Sequence, residues 1–196
     1  MTSAEPEQFR AAVAAMNATT VRPEIELGPI RPPQRLAPYS YALGAEVRRP
    51  ETGDIPEHAE GGDAFGRLIL LHDPDGSEAW DGTMRLVAYI QADLDSAEAD
   101  DPLLPEVAWS WLVEALESRS DQVTALGGTV TATTSVRYGD ISGPPRAHQL
   151  ELRASWTATS TELGPHVEAF CEVLEHAAGL PPVGVTSLTS RTRNRA

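Results

Sequence analysis

The sequence predicts an α+β fold: a single antiparallel sheet with flanking helices, in the order α-βββ-α-ββ-α. Two periodicities carry that prediction. Apolar and polar residues alternate over residues 39–48, 84–93 and 149–158, the two-residue period of a half-buried strand. Apolar stripes at i, i+3, i+4 and i+7 begin at Phe9, Trp109 and Val167, the period of a helix lying on a core.

In chain order, Phe9, Ala12, Val13 and Met16 form one stripe on a helix over about residues 3–18. Val21 to Leu27 reads as a short extended piece. Gly28, Pro29, Pro32, Pro33 and Pro38 then argue against regular pairing until Tyr39, so this stretch is expected to be a poorly paired arm. Tyr39, Tyr41, Leu43, Ala45 and Val47 give the first strand face. Residues 50–62 read as a loop by their Pro, Gly, Asp and Glu content, with His58 solvated in it. Phe65 to His72 is more continuously apolar and should lie centrally in the sheet.

Asp73-Pro74-Asp75-Gly76 has the chemistry of a tight turn and is expected to reverse the chain. Met84, Leu86, Ala88, Ile90 and Ala92 line one side of the returning strand. Five acids between Asp93 and Asp101 suit a solvated helix start, where they complement the helix dipole. The helix that follows carries the stripe Trp109, Leu112, Val113 and Leu116. Trp111, Ala108 and Ala115 make a second stripe on it, which the sheet and arm, a partner or a second subunit should cover.

The last two strands, Val123 to Tyr138 and Gln149 to Ala158, are polar on one face: Thr129, Thr131 and Thr133 on the first, Glu151, Arg153 and Ser155 on the second. Such strands predict helices on one side of the sheet only. The final helix, about residues 165–178, buries Val167, Phe170, Cys171 and Leu174, and Gly179 with Pro181 and Pro182 ends it. Residues 1–182 are read as one domain. Residues 183–196, with Arg191, Arg193 and Arg195, are read as a flexible basic tail.

Composition excludes more than it asserts. Acids number 29 against 15 basic residues, for a net charge of -14, which opposes nucleic acid and anionic membranes. All the basic residues are arginine. The absence of lysine removes phosphate-loop, kinase and Schiff-base chemistry. One cysteine, Cys171, excludes an intrachain disulfide and any multi-cysteine metal site; His166 and His176 leave its helix by other faces, so it reads as core. Glu5 and Glu7 stand where a signal peptide carries positive charge, and no apolar run approaches a bilayer span, so a cytoplasmic protein is expected.

No catalytic motif, cofactor motif or metal motif is present. His72, Asp73, Asp75 and Asp81 bracket one hairpin tip, but Glu78 stands where a calcium loop needs glycine. The expected function is a non-enzymatic protein-interaction or chaperone-like module, with a protein partner or a homodimer. Trp111, Trp80, His72, Asp73 and Asp81 are its candidate partner or ligand surface. Two alternatives are a small-molecule or metal-dependent enzyme at the 72–81 hairpin tip and a weak RNA-associated factor using Arg137, Arg153 and the arginine tail.

Element order resembles the type III secretion chaperone-like architecture. A closer likeness rests on seven ordered strings: Arg22-Pro23-Glu24-Ile25-Glu26, Arg35-Leu36-Ala37-Pro38-Tyr39, Leu70-Leu71-His72-Asp73-Pro74, Asp101-Pro102-Leu103-Leu104-Pro105-Glu106, Trp109-Ser110-Trp111-Leu112, Arg153-Ala154-Ser155-Trp156-Thr157 and Ala178-Gly179-Leu180-Pro181-Pro182. Together they resemble an actinobacterial family of domains of unknown function, number three thousand of that series, over about Phe9 to Pro182. The resemblance implies a cytoplasmic bacterial protein with no assigned activity and no catalytic residues to carry over.

Overall fold

The structure, a computed structural model, describes residues 5–47, 64–140 and 146–183. The loop at 50–62 with His58, and the tail with Arg191, Arg193 and Arg195, lie outside the described residues. The elements are α1 (Glu7–Asn17), β1 (Ile25–Pro29), β2 (Tyr39–Val47), β3 (Ala64–Ser77), β4 (Gly82–Leu94), α2 (Ser96–Ala99), α3 (Leu104–Arg119), β5 (Val123–Val136), β6 (Arg146–Ala158) and α4 (Gly164–Ala177). The strands form one six-stranded sheet in the order β1-β2-β3-β4-β6-β5, antiparallel throughout.

The expected alternation sets the faces. Leu43, Leu68, Leu70, Leu86, Ile90, Leu152 and Trp156 are buried on one side with α1, α3 and α4, in a single apolar cluster. Helix α4 lies at its centre: His166, Val167, Ala169, Phe170, Cys171, Val173 and Leu174 are all buried. Its close approach depends on Gly66, where a β-carbon would come within 2.6 Å of the Phe170 ring. Gly179, at φ 63°, then ends the helix: its N–H donates to the His176 carbonyl and that of Leu180 to Glu175.

Four expectations need correction. The arm after α1 is not unpaired: Ile25–Pro29 pairs in register with Val47–Leu43. Its prolines are tolerated because β1 is an edge strand, where a missing N–H need not break a ladder. The chain does not reverse at Asp73–Gly76. There the β3–β4 pairing is irregular, between His72 and Ser77, and the turn comes at residues 78–81. Asp73 Oδ1 accepts the Asp75 N–H, so the Asp-Pro-Asp-Gly string makes a local side-chain turn inside a longer strand.

Third, the buried seam of α3 is Leu104, Ala108, Leu112, Ala115 and Leu116, rotated from the expected Trp109 stripe toward the alanines. Small residues let α3 lie close to α4, while Trp109, half-buried, reaches over β5. Fourth, the apolar set of β5 is not inward over its whole length: Val130 is half-buried, but Ala132, Val136 and Tyr138 are exposed. Helix α3 spans only the first part of that strand.

The acid run behaves as expected. Asp95 caps α2 by accepting the Glu98 N–H while Glu98 accepts from the Asp95 N–H, a reciprocal capping box.

Candidate functional site

The hairpin-tip residues do not converge. His72 is 1% exposed on the helix side, its ring lies against Phe9 and Tyr39, and its Nδ1–H donates to the Thr83 carbonyl at 2.9 Å. Asp73 is half-buried where the β3–β4 pairing becomes irregular, and its carboxylate is turned to the Asp75 N–H. Asp81 is exposed in the turn with φ 54°. No group of three or more His, Cys, Asp or Glu side chains among the described residues is placed to hold a metal ion.

Trp111 is half-buried, with its ring stacked on His176 of α4 at 5.4 Å between centroids. Helix α4 on one side and β5 on the other thus flank α3. Beside Trp111 runs a groove of about 440 Å³ lined by Arg22, Arg119, Cys171, Glu172 and Glu175 among others. Its charges are spoken for. Arg22, its side chain 8% exposed, bonds Glu24, Glu175 and the Pro181 carbonyl, and Arg119 pairs with Glu168 and Glu172. The hydrogen bond from Arg22 holds the Glu24 carboxyl down at about 2, and hydrogen bonds to Glu24 and Glu175 raise the Arg22 value. Burial pushes the Cys171 thiol up to about 12, with Glu175 and Glu168 adding to it, so the buried thiol stays protonated.

Sequence reasoning missed His166. It is fully buried, its Nδ1 accepts the Trp156 indole N–H at 3.1 Å, and its Nε2, which must then carry the proton, meets no partner among the described residues. Burial lowers its pKa to about 4, so it stays neutral. Nothing in the local pattern marks a histidine ten residues from the tryptophan it bonds.

Two surfaces remain open. On the helix-free face, register lines up Arg67, Tyr89 and Arg153 in one row, Ile69, Val87 and Ser155 in the next, and Leu71, Arg85 and Thr157 in the third. Arg153 lies 5.5 Å over the Tyr89 ring, whose hydroxyl donates toward Gln91 and Glu151. The ring face a nucleobase would stack on is therefore already taken.

The second open surface is the outer edge of β5. It is the last strand in the sheet order, and from Gly127 to Val136 it pairs in unbroken register with β6, so its other edge faces outward along ten residues. No strand among the described residues pairs with that edge. Between Val123 and Val136 there is no charged side chain at all.

No helix among the described residues is long and apolar enough to cross a membrane. No curated protein and no solved structure matches the chain, so the chaperone-like comparison remains one of element order alone. The model of a family described as a protein of unknown function (DUF3000) does match, over residues 5–186, and with nearly the whole chain covered the chain belongs to that family.

Proposed function

We propose that the chain is a non-enzymatic protein-interaction module, and that its working surface is the outer edge of β5, occupied by β5 of a second copy. The observation that carries this is the length of uncharged edge, unpaired among the described residues, in a protein of net charge -14. Edge strands of that length are ordinarily blunted by charge, proline or a covering element. Here the regular part, Gly-Gly-Thr-Val-Thr-Ala-Thr-Thr-Ser-Val, has neither charge nor proline, and no strand among the described residues pairs with its outer edge.

A second copy fits better than a charged segment of another protein. Two acidic molecules repel over most of their surfaces, but along β5 neither brings a charge, and a charged strand would find no complement there. Antiparallel pairing about a twofold axis sets Thr129, Thr131 and Thr133 against the same set of the partner, and threonine pairs stabilise such ladders. The assembly closes at two copies, because the opposite edge, β1, is five residues long and ends in Pro29.

Light scattering on a size-exclusion column tests the reading. The protein should run at twice the chain mass at micromolar concentration. Thr131→Glu with Thr133→Glu, which sets carboxylates against one another across the twofold, should return it to the chain mass with an unchanged circular dichroism spectrum. A wild-type monomer, or a dimer indifferent to both substitutions, overturns the proposal.

A further inference from the structure

Arg85 is a half-buried arginine whose guanidinium is held by neutral groups. Its Nη1 donates to the Ala125 carbonyl at 2.9 Å and to Thr157 Oγ1 at 3.1 Å, and its Nη2 donates to Ser155 Oγ at 2.7 Å. Arg22, Arg119 and Arg153, by contrast, each pair with a carboxylate. Arg67 is exposed and no hydrogen bond fixes it.

Three separate parts of the chain build this cradle. Ala125 lies where the β5–β6 register shifts, between Thr124 and Gly127, at φ 50°, and the bulge gives its carbonyl to Arg85 across β6. Thr157, 1% exposed, accepts from Arg85 and donates its own hydroxyl to the Trp80 carbonyl in the β3–β4 turn. That turn comes down on Thr157 because residue 82 is glycine: a β-carbon there would lie 2.6 Å from Thr157 Cγ2.

A guanidinium carries five N–H groups, and the three acceptors take three of them. The remaining two, Nε–H and one Nη2–H, have no acceptor among the described residues, and neighbouring N–H groups of a guanidinium are what grip the oxygens of a carboxylate or phosphate. Partial burial without a counter-charge is a cost, and burial indeed lowers the Arg85 pKa. An oxyanion arriving at that edge relieves the cost and has little side-chain entropy left to spend, since the fork is already fixed. No ion pair joins Arg85 to a carboxylate among the described residues; Asp73, beyond the adjacent Leu71 in β3, accepts the Asp75 N–H instead.

We infer that Arg85 is an oxyanion-binding residue, taking a carboxylate or phosphate group on the helix-free face beside the 78–82 turn. The site is independent of the β5 edge and would serve a ligand or a docking peptide on either form of the protein.

Sodium acetate and sodium phosphate are the probes, each titrated against sodium chloride at matched ionic strength. The reading is the Arg85 side-chain Nε–Hε resonance of the intact chain, assigned by its disappearance in Arg85→Lys. Saturable movement with acetate alone assigns the site to carboxylates, with phosphate alone to phosphate esters, and with both to oxyanions in general. In Arg85→Lys, which keeps the charge but loses the fork, the anion-induced rise in melting temperature should fall at least tenfold in apparent affinity. Arg67→Gln should leave it unchanged. Movement no greater than chloride produces, or an undiminished effect in Arg85→Lys, overturns the inference.

Discussion

At one side of the sheet the outermost strand, β1, has five residues, contains Glu26 and ends in Pro29, and Arg22 just before it is tied to α4 through Glu175. At the other side β5 runs 14 residues without a charge, and α3 leaves its far half bare. The two edges also differ in how the strands beside them are anchored. The β1 side is held by an ionic clamp, the β6–β5 side by a neutral buried pair, Trp156 and His166. A sheet edge is thus closed or open according to its flanking residues, and the same sheet carries both solutions.

Acid should separate the two anchors, with the largest effect on the β6 side. Burial depresses the folded pKa of His166 to about 4 from its ordinary 6.5. Protons therefore bind the unfolded chain preferentially as pH falls through that interval, and stability is lost between pH 6.5 and 4, by about 3 kcal/mol. The ionic clamp follows later. Glu24 sits at about 2 against 4.5, so its contribution is present above the higher value and disappears only as pH drops toward the lower. Urea melts from pH 7 to 4 should show the first loss, and His166→Phe should flatten that slope. A slope that survives the substitution would assign the loss elsewhere.

Arg22→Ala comes next, at about 2 kcal/mol, because it strands Glu24 and Glu175, which are only 32% and 24% exposed at the side chain. Hydrogen exchange should rise in β1 and the end of α4 while β6 keeps its protection. Equal loosening of both sides would show that the two anchors are not separate.

The smallest effects on folding belong to the edges. Thr131→Glu with Thr133→Glu should change the unfolding free energy of the isolated chain, from urea melts, by no more than about 0.5 kcal/mol per site while abolishing self-association. Pro29→Val should be similarly mild in stability. If proline is what closes the β1 edge, restoring an N–H there should produce species larger than two copies in light scattering. An unchanged size distribution would transfer the protection to Glu26 and the shortness of the strand.

Much of the fold was legible from residue periods. The faces of β2, β4 and β6, the central place of β3, and the helices on a single side follow from alternation and stripes that each segment carries within itself. The candidate surface was not. Trp111 stood out because two stripes on one helix need two covers, and α4 with β5 are those covers. His72 and Asp81 are close in sequence yet belong to the core and the turn, since the reversal falls at 78–81, after the proline-glycine string rather than in it. A turn-like string is local chemistry, and it can be satisfied by a side-chain turn within a strand.

By itself, then, the sequence determined which residues alternate, which recur at helical spacing, and that no lysine and only one thiol are available for chemistry. Only the tertiary structure decided which strands stand at the edges, which acceptors surround Arg85, and which indole meets His166. The reason is the reach of the forces involved. Periodicity is set by backbone geometry over a few residues, whereas the hydrogen bond from Arg85 to Ser155 joins positions 70 residues apart and exists only once β4 and β6 are in register.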